Sequence, residues 1–283
     1  MTIDLLSSGL LQGTVLALLA TALMIPFRLL DLPDLTAEGA YPFGGALYAG
    51  VLLLGLPPLW ALLTGLIGGA LLGLATSWLH GRWQMNSLLA GILLSTMIYS
   101  VNLRLMGQPN LALFDRPTLL SGPTLYHFGW ILLIVVGCTL PLLLFLQTEW
   151  GLRLRAVGLN PEFAQRQAIS VASYRRFGFL LAGSFSALAG ALTVDCQRYM
   201  DIGMGVGIVI HALAALMVGE ALVGQQTLRR QLLAPLVGAL IYQQIQGLVL
   251  SLGLPPSDLK LLTGSLVLLV LALRSHPERR PLL

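Results

Sequence analysis

The sequence predicts an all-α polytopic membrane protein: a bundle of about eight or nine transmembrane helices, with a short cytoplasmic helix and a broken second span, forming one domain over residues 1–283. Three observations carry this. The 283 residues are 56% hydrophobic and only 10% charged, against about 25% charged in soluble domains. Mean hydropathy is +0.83, which excludes intrinsic disorder, because disordered chains have low hydrophobicity. Apolar runs near the ~20 residues that a helix needs to cross a bilayer recur along the whole chain. The net charge is +4, yet no basic cluster stands clear of the apolar runs, so no nucleic-acid partner is expected.

The run 5–27 has no basic region before it and is too long for a signal peptide, so it is expected to be retained as the first span. The second, 40–55, is short and carries Pro42, Gly44 and Gly45, so it is expected to be broken or to start deeper in the membrane. The next four cover 58–79, 86–106, 127–147 and 174–197. The seventh and eighth cover 204–224 and 231–252. A ninth, 259–273, is short, and without it the count is eight. Small residues recur at four-residue spacing in Gly65, Gly69 and Gly73, in Gly183, Ala187 and Ala191, and in Gly203 and Gly207. They predict closely packed helix backbones.

Arginine placement sets the orientation. The segment 148–173 holds Arg153, Arg155 and Arg166, with Arg175 and Arg176 just after it. With that segment in the cytoplasm, nine spans place twelve arginines inside and leave Arg104, Arg116, Arg198 and Lys260 outside. The N-terminus is then outside and the C-terminus cytoplasmic. Within 148–173, Asn160-Pro161-Glu162 reads as a helix start: Asn caps, Pro suits the first helical position, and Glu meets the positive end of the dipole. A short amphipathic helix over about 161–168 follows, with Gly158 permitting a sharp turn before it. Two readings stay open for it: a knob for the groove of a soluble partner, or a loop helix in solvent or on the lipid headgroups.

Polar side chains inside apolar spans are candidate sites. Ser95 and Tyr99, four residues apart, and Gln243 are candidates to line a path. Gln243 shares a face with Gln246; the plainer reading is hydrogen bonding between helices. Asp195 stands one turn before Arg198, as a surface pair or an outer mouth. His211 is either a buried, bonded histidine or a path residue. Glu220 is expected at an interface, with Arg229 or Arg230 as partner. Between the first two spans lie Arg28, Asp31, Asp34, Thr36 and Glu38, with Asp34 and Glu38 as candidate site residues. The segment is either a cytoplasmic turn that fixes topology or part of a discontinuous helix, capped by Thr36 with Glu38 close behind, whose N-terminus is aimed at a substrate carboxylate. Asn102 and Arg104 are expected to meet either an anionic or zwitterionic group or the headgroups. Cys138 and Cys196 read as small buried hydrophobes, and the four scattered histidines do not suggest a metal site. No GxxxxGK[ST] occurs, so the chain has no P-loop.

Gly151, the run Arg155-Ala156-Val157-Gly158-Leu159-Asn160-Pro161, Ala164 and Ala168-Ile169 resemble the coupling-helix loop of ABC importer permeases, in the superfamily of the branched-chain amino acid and ribose permeases. Leu18-Leu19-Ala20 through residues 28–40, and His211-Ala212-Leu213 through Leu222, are similar to two further stretches of that family. Phe27 through Thr36 and Ser100 through Asn110 resemble its tryptophan/tyrosine-type subgroup. One departure is visible: Gln167-Ala168-Ile169-Ser170 stands where many members have a Gly-Ile step.

The resemblance implies a permease subunit, not an enzyme, that moves a small polar solute such as an amino acid by ATP-driven alternating access in the bacterial inner membrane. It implies a second copy of the permease, two P-loop ATPase subunits that carry ATP and Mg, and a periplasmic or lipid-anchored solute-binding protein. Arg155, Gly158, Asn160, Pro161, Glu162, Ala164 and Gln165 would couple to the ATPase, and no cofactor is expected in this chain. An ion-coupled secondary transporter is the rival; it calls for paired acids at mid-span, and the central thirds of the nine expected spans hold no Asp or Glu. A membrane enzyme finds no Ser/His/Asp set or metal spacing.

Overall fold

The structure is a computed structural model and describes residues 3–119, 124–253 and 258–274. Helix α1, Ile3–Met24, runs on through a π-helical turn, Ile25–Leu29, whose Pro26 cannot join a regular ladder. Then come α2 (Thr36–Leu53), α3 (Pro58–Trp83), α4 (Ser87–Met106) and α5 (Thr124–Gln147). Two short helices follow, α6 (Glu149–Leu159) and α7 (Pro161–Arg166). The chain continues with α8 (Val171–Gln197), α9 (Ile208–Val223), α10 (Leu228–Ser251) and α11 (Leu259–Arg274). One antiparallel ribbon pairs β1 (Asn110–Ala112) with β2 (Tyr199–Asp201).

Among the described residues, seven helical segments are long and apolar enough to cross a membrane. α2 and α11 stand where the second and ninth spans are expected, but neither is among those seven. The segments expected to be cytoplasmic lie together at one end. Gly158 packs on the carbonyl of Leu29, Ser87 donates to the carbonyl of Pro33, and Arg28 reaches Glu220. The ribbon and the Leu119–Asp195 hydrogen bond tie the opposite end.

The core is a seam of α2, α3 and α8, where glycines let backbones touch. A Cβ at Gly69 would collide with the carbonyl of Gly183, one at Gly73 with that of Phe179, and one at Gly44 with that of Ala187. These include the four-residue repeats of the third and sixth spans. The Gly203/Gly207 pair belongs to no such seam. Gly203 lies in a 3-10 turn, Ile202–Gly205, and Gly207 sits at φ +79° where the chain swings into α9.

The expected break in the second span is absent: α2 is a continuous helix that includes Pro42. Proline removes the hydrogen bond to the carbonyl four residues back, here that of Glu38. Gly205 approaches that carbonyl so closely that a Cβ would strike it. The irregular backbone stands instead at 202–207, in front of α9. The polar stretch 149–159, read as loop, is helix α6.

Candidate functional site

Helix α2 brings Glu38 to the middle of the bundle. A Cβ on Gly39 would touch Cα of Ser95, so this level of α2 matches Ser95 on α4. At 1.5 Å per residue, Ser95 stands roughly 12 Å from the Ser87 end of a helix about 30 Å long, near mid-height. There α2, α4 and the 202–206 turn enclose a cavity of about 420 Å³. Its wall includes Glu38, Ser95, Thr96, Tyr99 and Asn102 among apolar groups, with no Arg, Lys or His among the described residues that line it. Glu38 Oε1 accepts the Gly207 N–H at 2.8 Å. The Ser95 and Thr96 hydroxyls donate to carbonyls of their own helix, Ile92 and Leu93. Asn102 is 1% exposed, and neither its Oδ1 nor its Nδ2 has a hydrogen-bond partner. Tyr99 is 49% exposed, so the cavity opens on the outer face of α4.

A second cavity, of about 220 Å³, lies on the other side of α2 among α1, α8, α9 and α10. Gln243 and His211 line it together with Gln12, Tyr41, Tyr242 and Gln246. Gln243 donates to Gln12 Oε1 at 2.8 Å. His211 Nδ1 pairs with the Tyr242 hydroxyl at 2.6 Å, and that hydroxyl meets Thr263 Oγ1 at 2.7 Å.

At the end that gathers Leu29, Ser87 and Glu220, α6 and α7 form an elbow. Asn160 caps α7: its Oδ1 accepts the Phe163 N–H at 2.9 Å, with Pro161 in the first turn. Ala164 is fully buried, while Leu159 and Phe163 are 89% and 57% exposed. Arg155 lies back along α6, its guanidinium 3.4 Å from the carbonyls of Gly151 and Leu146. Glu162 and Gln165 face outward beside Phe163.

The profile of a permease family, described as the branched-chain amino acid transport system permease component, matches residues 5–272. The chain belongs to this permease family. The permease is 33% identical over 261 residues to a tyrosine transport system permease protein of Clostridioides difficile (strain R20291), covering 92% of this chain and 88% of that protein. It is 26% identical over 252 residues to the galactofuranose transporter permease protein YtfT of Escherichia coli (strain K12), covering 86% of this chain and 72% of that one. In fold it resembles a metal-chelate type ABC transporter solved in an inward-facing conformation. The TM-score is 0.55 at 20% identity, over 95% of this chain and 85% of that one.

In the permease, the expected site residues divide. Ser95, Tyr99, Asn102 and Glu38 share one cavity, whereas Gln243 lies in the other with His211. Glu38 puts an acid at mid-height, where the span boundaries expected from sequence had placed none. Helix α2 starts inside the bundle, so Glu38 in its first turn already stands at the level of Ser95. Asn102 is buried in the wall rather than out among headgroups, while Arg104 beside it is exposed.

Asp34 is 2% exposed and accepts both the backbone N–H (2.8 Å) and the hydroxyl of Thr36. Thr36 is therefore not the cap: Leu35 occupies that position without a side-chain bond, and the Asp34 carboxylate satisfies the helix start. Asp34 lies in the connection between α1 and α2, where burial pushes its carboxyl up to about 6.

Glu220 pairs with Arg28 through two hydrogen bonds of 2.7 Å, not with Arg229 or Arg230, because the π-helical turn swings Arg28 across to the end of α9. Asp195 is held by the Tyr48 hydroxyl and the Leu119 N–H, while Arg198 turns to Thr118. Gly158 makes no turn. It lies inside α6, where it is needed for close contact with Leu29. Cys138 and Cys196 are free and half-buried.

Proposed function

We propose that this chain is the membrane-spanning subunit of an ABC importer in the bacterial inner membrane. It moves a small polar solute, an amino acid or a relative of one, by ATP-driven alternating access. The observation that carries the reading is α7: a six-residue helix with a polar cap and a buried Ala164, offering Phe163 and Leu159 to a partner. Exposed apolar side chains beside a capped helix suit the groove of a soluble protein. The chain has no P-loop of its own, so two ATPase subunits supply the hydrolysis and hold ATP and Mg.

Arg155, Gly158, Asn160, Pro161, Glu162, Ala164 and Gln165 shape the docking elbow. Leu29 passes its movement to Arg28 and from there to α9. A second copy of the chain covers the cavity that opens on α4. This is supported by the exposure of Met97 (65%) and Tyr99 on α4, whereas α1 and α8 are mostly buried. A periplasmic or lipid-anchored binding protein delivers the solute. The amino-acid assignment draws on the name of the Clostridioides difficile relative.

The test is co-expression with a candidate P-loop ATPase subunit. Phe163→Pro removes the N–H that Asn160 accepts, so loss of co-purification and of solute-coupled ATP hydrolysis is expected. An intact, coupled complex with this substitution would overturn the docking assignment.

A further inference from the structure

We propose that the α2–α4 cavity holds an elongated solute by its two ends, a protonated amine on Glu38 and a distal hydroxyl or carbonyl on Asn102. The inference rests on the transport reading above and adds the chemistry of the cargo.

Charge carries the first half. Among the described residues, Glu38 is the only acidic side chain in the cavity wall, and no cationic side chain lines it. Arg28, the nearest arginine in sequence, is committed to Glu220. A carboxylate has about four lone-pair sites, and the Gly207 N–H takes one on Oε1. Glu38 is only half-buried, so its other sites face the cavity. A carboxylate at membrane mid-height is costly unless something pairs with it. A solute without a cationic group leaves it unpaired, whereas an ammonium group, in an amine or in a zwitterion, pairs with it.

Asn102 carries the second half. A buried polar atom without a partner costs about 1–3 kcal/mol, and Asn102 buries two of them in the wall of the same cavity. Its amide both donates and accepts, which fits a hydroxyl or a carbonyl equally well. Asn102 is seven residues beyond Ser95 on α4, roughly 10 Å along the helix. It therefore meets a different part of the solute from Glu38. Ser95 and Thr96 are already bonded to their own helix and do not compete as donors. Pockets of about 300–1,000 Å³ suit small organic ligands, and the 420 Å³ here lies in that range.

The experiment uses the permease–ATPase complex in detergent and radiolabelled tyramine, which has an amine at one end and a hydroxyl at the other. Equilibrium dialysis measures its binding. Phenethylamine, which lacks the hydroxyl, and 3-(4-hydroxyphenyl)propionate, which lacks the amine, compete against it. Expected is saturable tyramine binding at millimolar concentration, weaker competition by phenethylamine, and none by the propionate. Glu38→Gln keeps an acceptor for Gly207 and should weaken tyramine at least tenfold. Asn102→Leu should erase the preference for tyramine over phenethylamine.

Equal competition by the propionate overturns the proposal, and that comparison needs no variant to fold. Undiminished binding in Glu38→Gln, or no saturable binding in an intact complex, also overturns it and leaves the importer reading standing. Tyramine binding by a permease that never associates with an ATPase supports the amine site and sinks the importer reading.

Discussion

Ala168 sits at φ +57°, in the left-handed region that favours glycine. It closes α7 in a Schellman motif: the Ile169 N–H donates to the carbonyl of Ala164, and the Ala168 N–H to that of Gln165, both at 3.0 Å. Within Gln167-Ala168-Ile169-Ser170, Ala168 thus stands where the backbone asks for glycine. An L-residue pays roughly 1–2 kcal/mol in this conformation, and glycine returns part of it through a freer unfolded chain. Ala168→Gly should therefore stabilise the elbow by about 0.5–1 kcal/mol, seen as a higher melting temperature in detergent, while Ala168→Val lowers it.

Asp34 makes a pH prediction. Its carboxyl is raised from 3.8 to about 6 by burial, so the folded state holds the proton more tightly than the unfolded chain. The associated stability is fully present below pH ~4 and is lost as pH rises through about 6. The displacement corresponds to roughly 3 kcal/mol at most. Between pH 4 and 7 the melting temperature of the parent protein should fall relative to that of Asp34→Asn. Parallel profiles for the two proteins would show that Asp34 does not titrate in this range.

At the scale of elements, the first helix is joined to the ninth helix and to the elbow by one irregular turn. The π-helical segment Ile25–Leu29 sends Arg28 to Glu220 and sets Leu29 against Gly158. Arg28→Lys keeps the charge but loses the paired, planar contact. Because Arg28 is 42% exposed, water screens part of the pair, and the expected cost is roughly 1–2 kcal/mol. If Leu29 relays movement from the elbow, coupling of ATP hydrolysis to transport should fall more than stability does. Equal loss of both would make the pair a simple staple.

The helices were legible wherever apolar runs were long, and the cap of α7 was legible because Asn160 and Pro161 are local signals. The contact made by the turn at 25–29 was not: the partner of Arg28 is Glu220, 192 residues away in sequence. The partnership of Glu38 with Gly207 was hidden for the same reason. Helix α6 was missed because its few buried positions, Gly151, Leu154 and Val157, sit among arginines that read as solvent-facing. Asn102 was visible as a polar residue in an apolar run, but its unbonded amide follows only from how α4 packs.

Across the whole molecule, packing is uneven. α2, α3 and α8 meet through glycines with no room for a side chain, while α4 and α5 show most of their surface to the outside. Gly69→Leu or Gly183→Leu should abolish the folded protein, because two backbones would have to part. Gly81→Ala, with nothing within 4 Å of the added carbon, should express normally, and a fluorescence size-exclusion profile separates the outcomes. This seam was foreseeable in part from the spacing of Gly65, Gly69 and Gly73. Its partner on α8 had to be found in three dimensions, since the pairing of spans is set by contacts between distant segments.

The seam also divides the molecule by how it opens. Amide hydrogens along α3 and α8 are shielded by backbones in contact, so they exchange with solvent only when the whole domain unfolds. Those of α4, held on one side only, are released by smaller and more frequent openings. The cavity that holds Glu38 lies on the boundary between these two regimes, with one wall that stays fixed and one that yields.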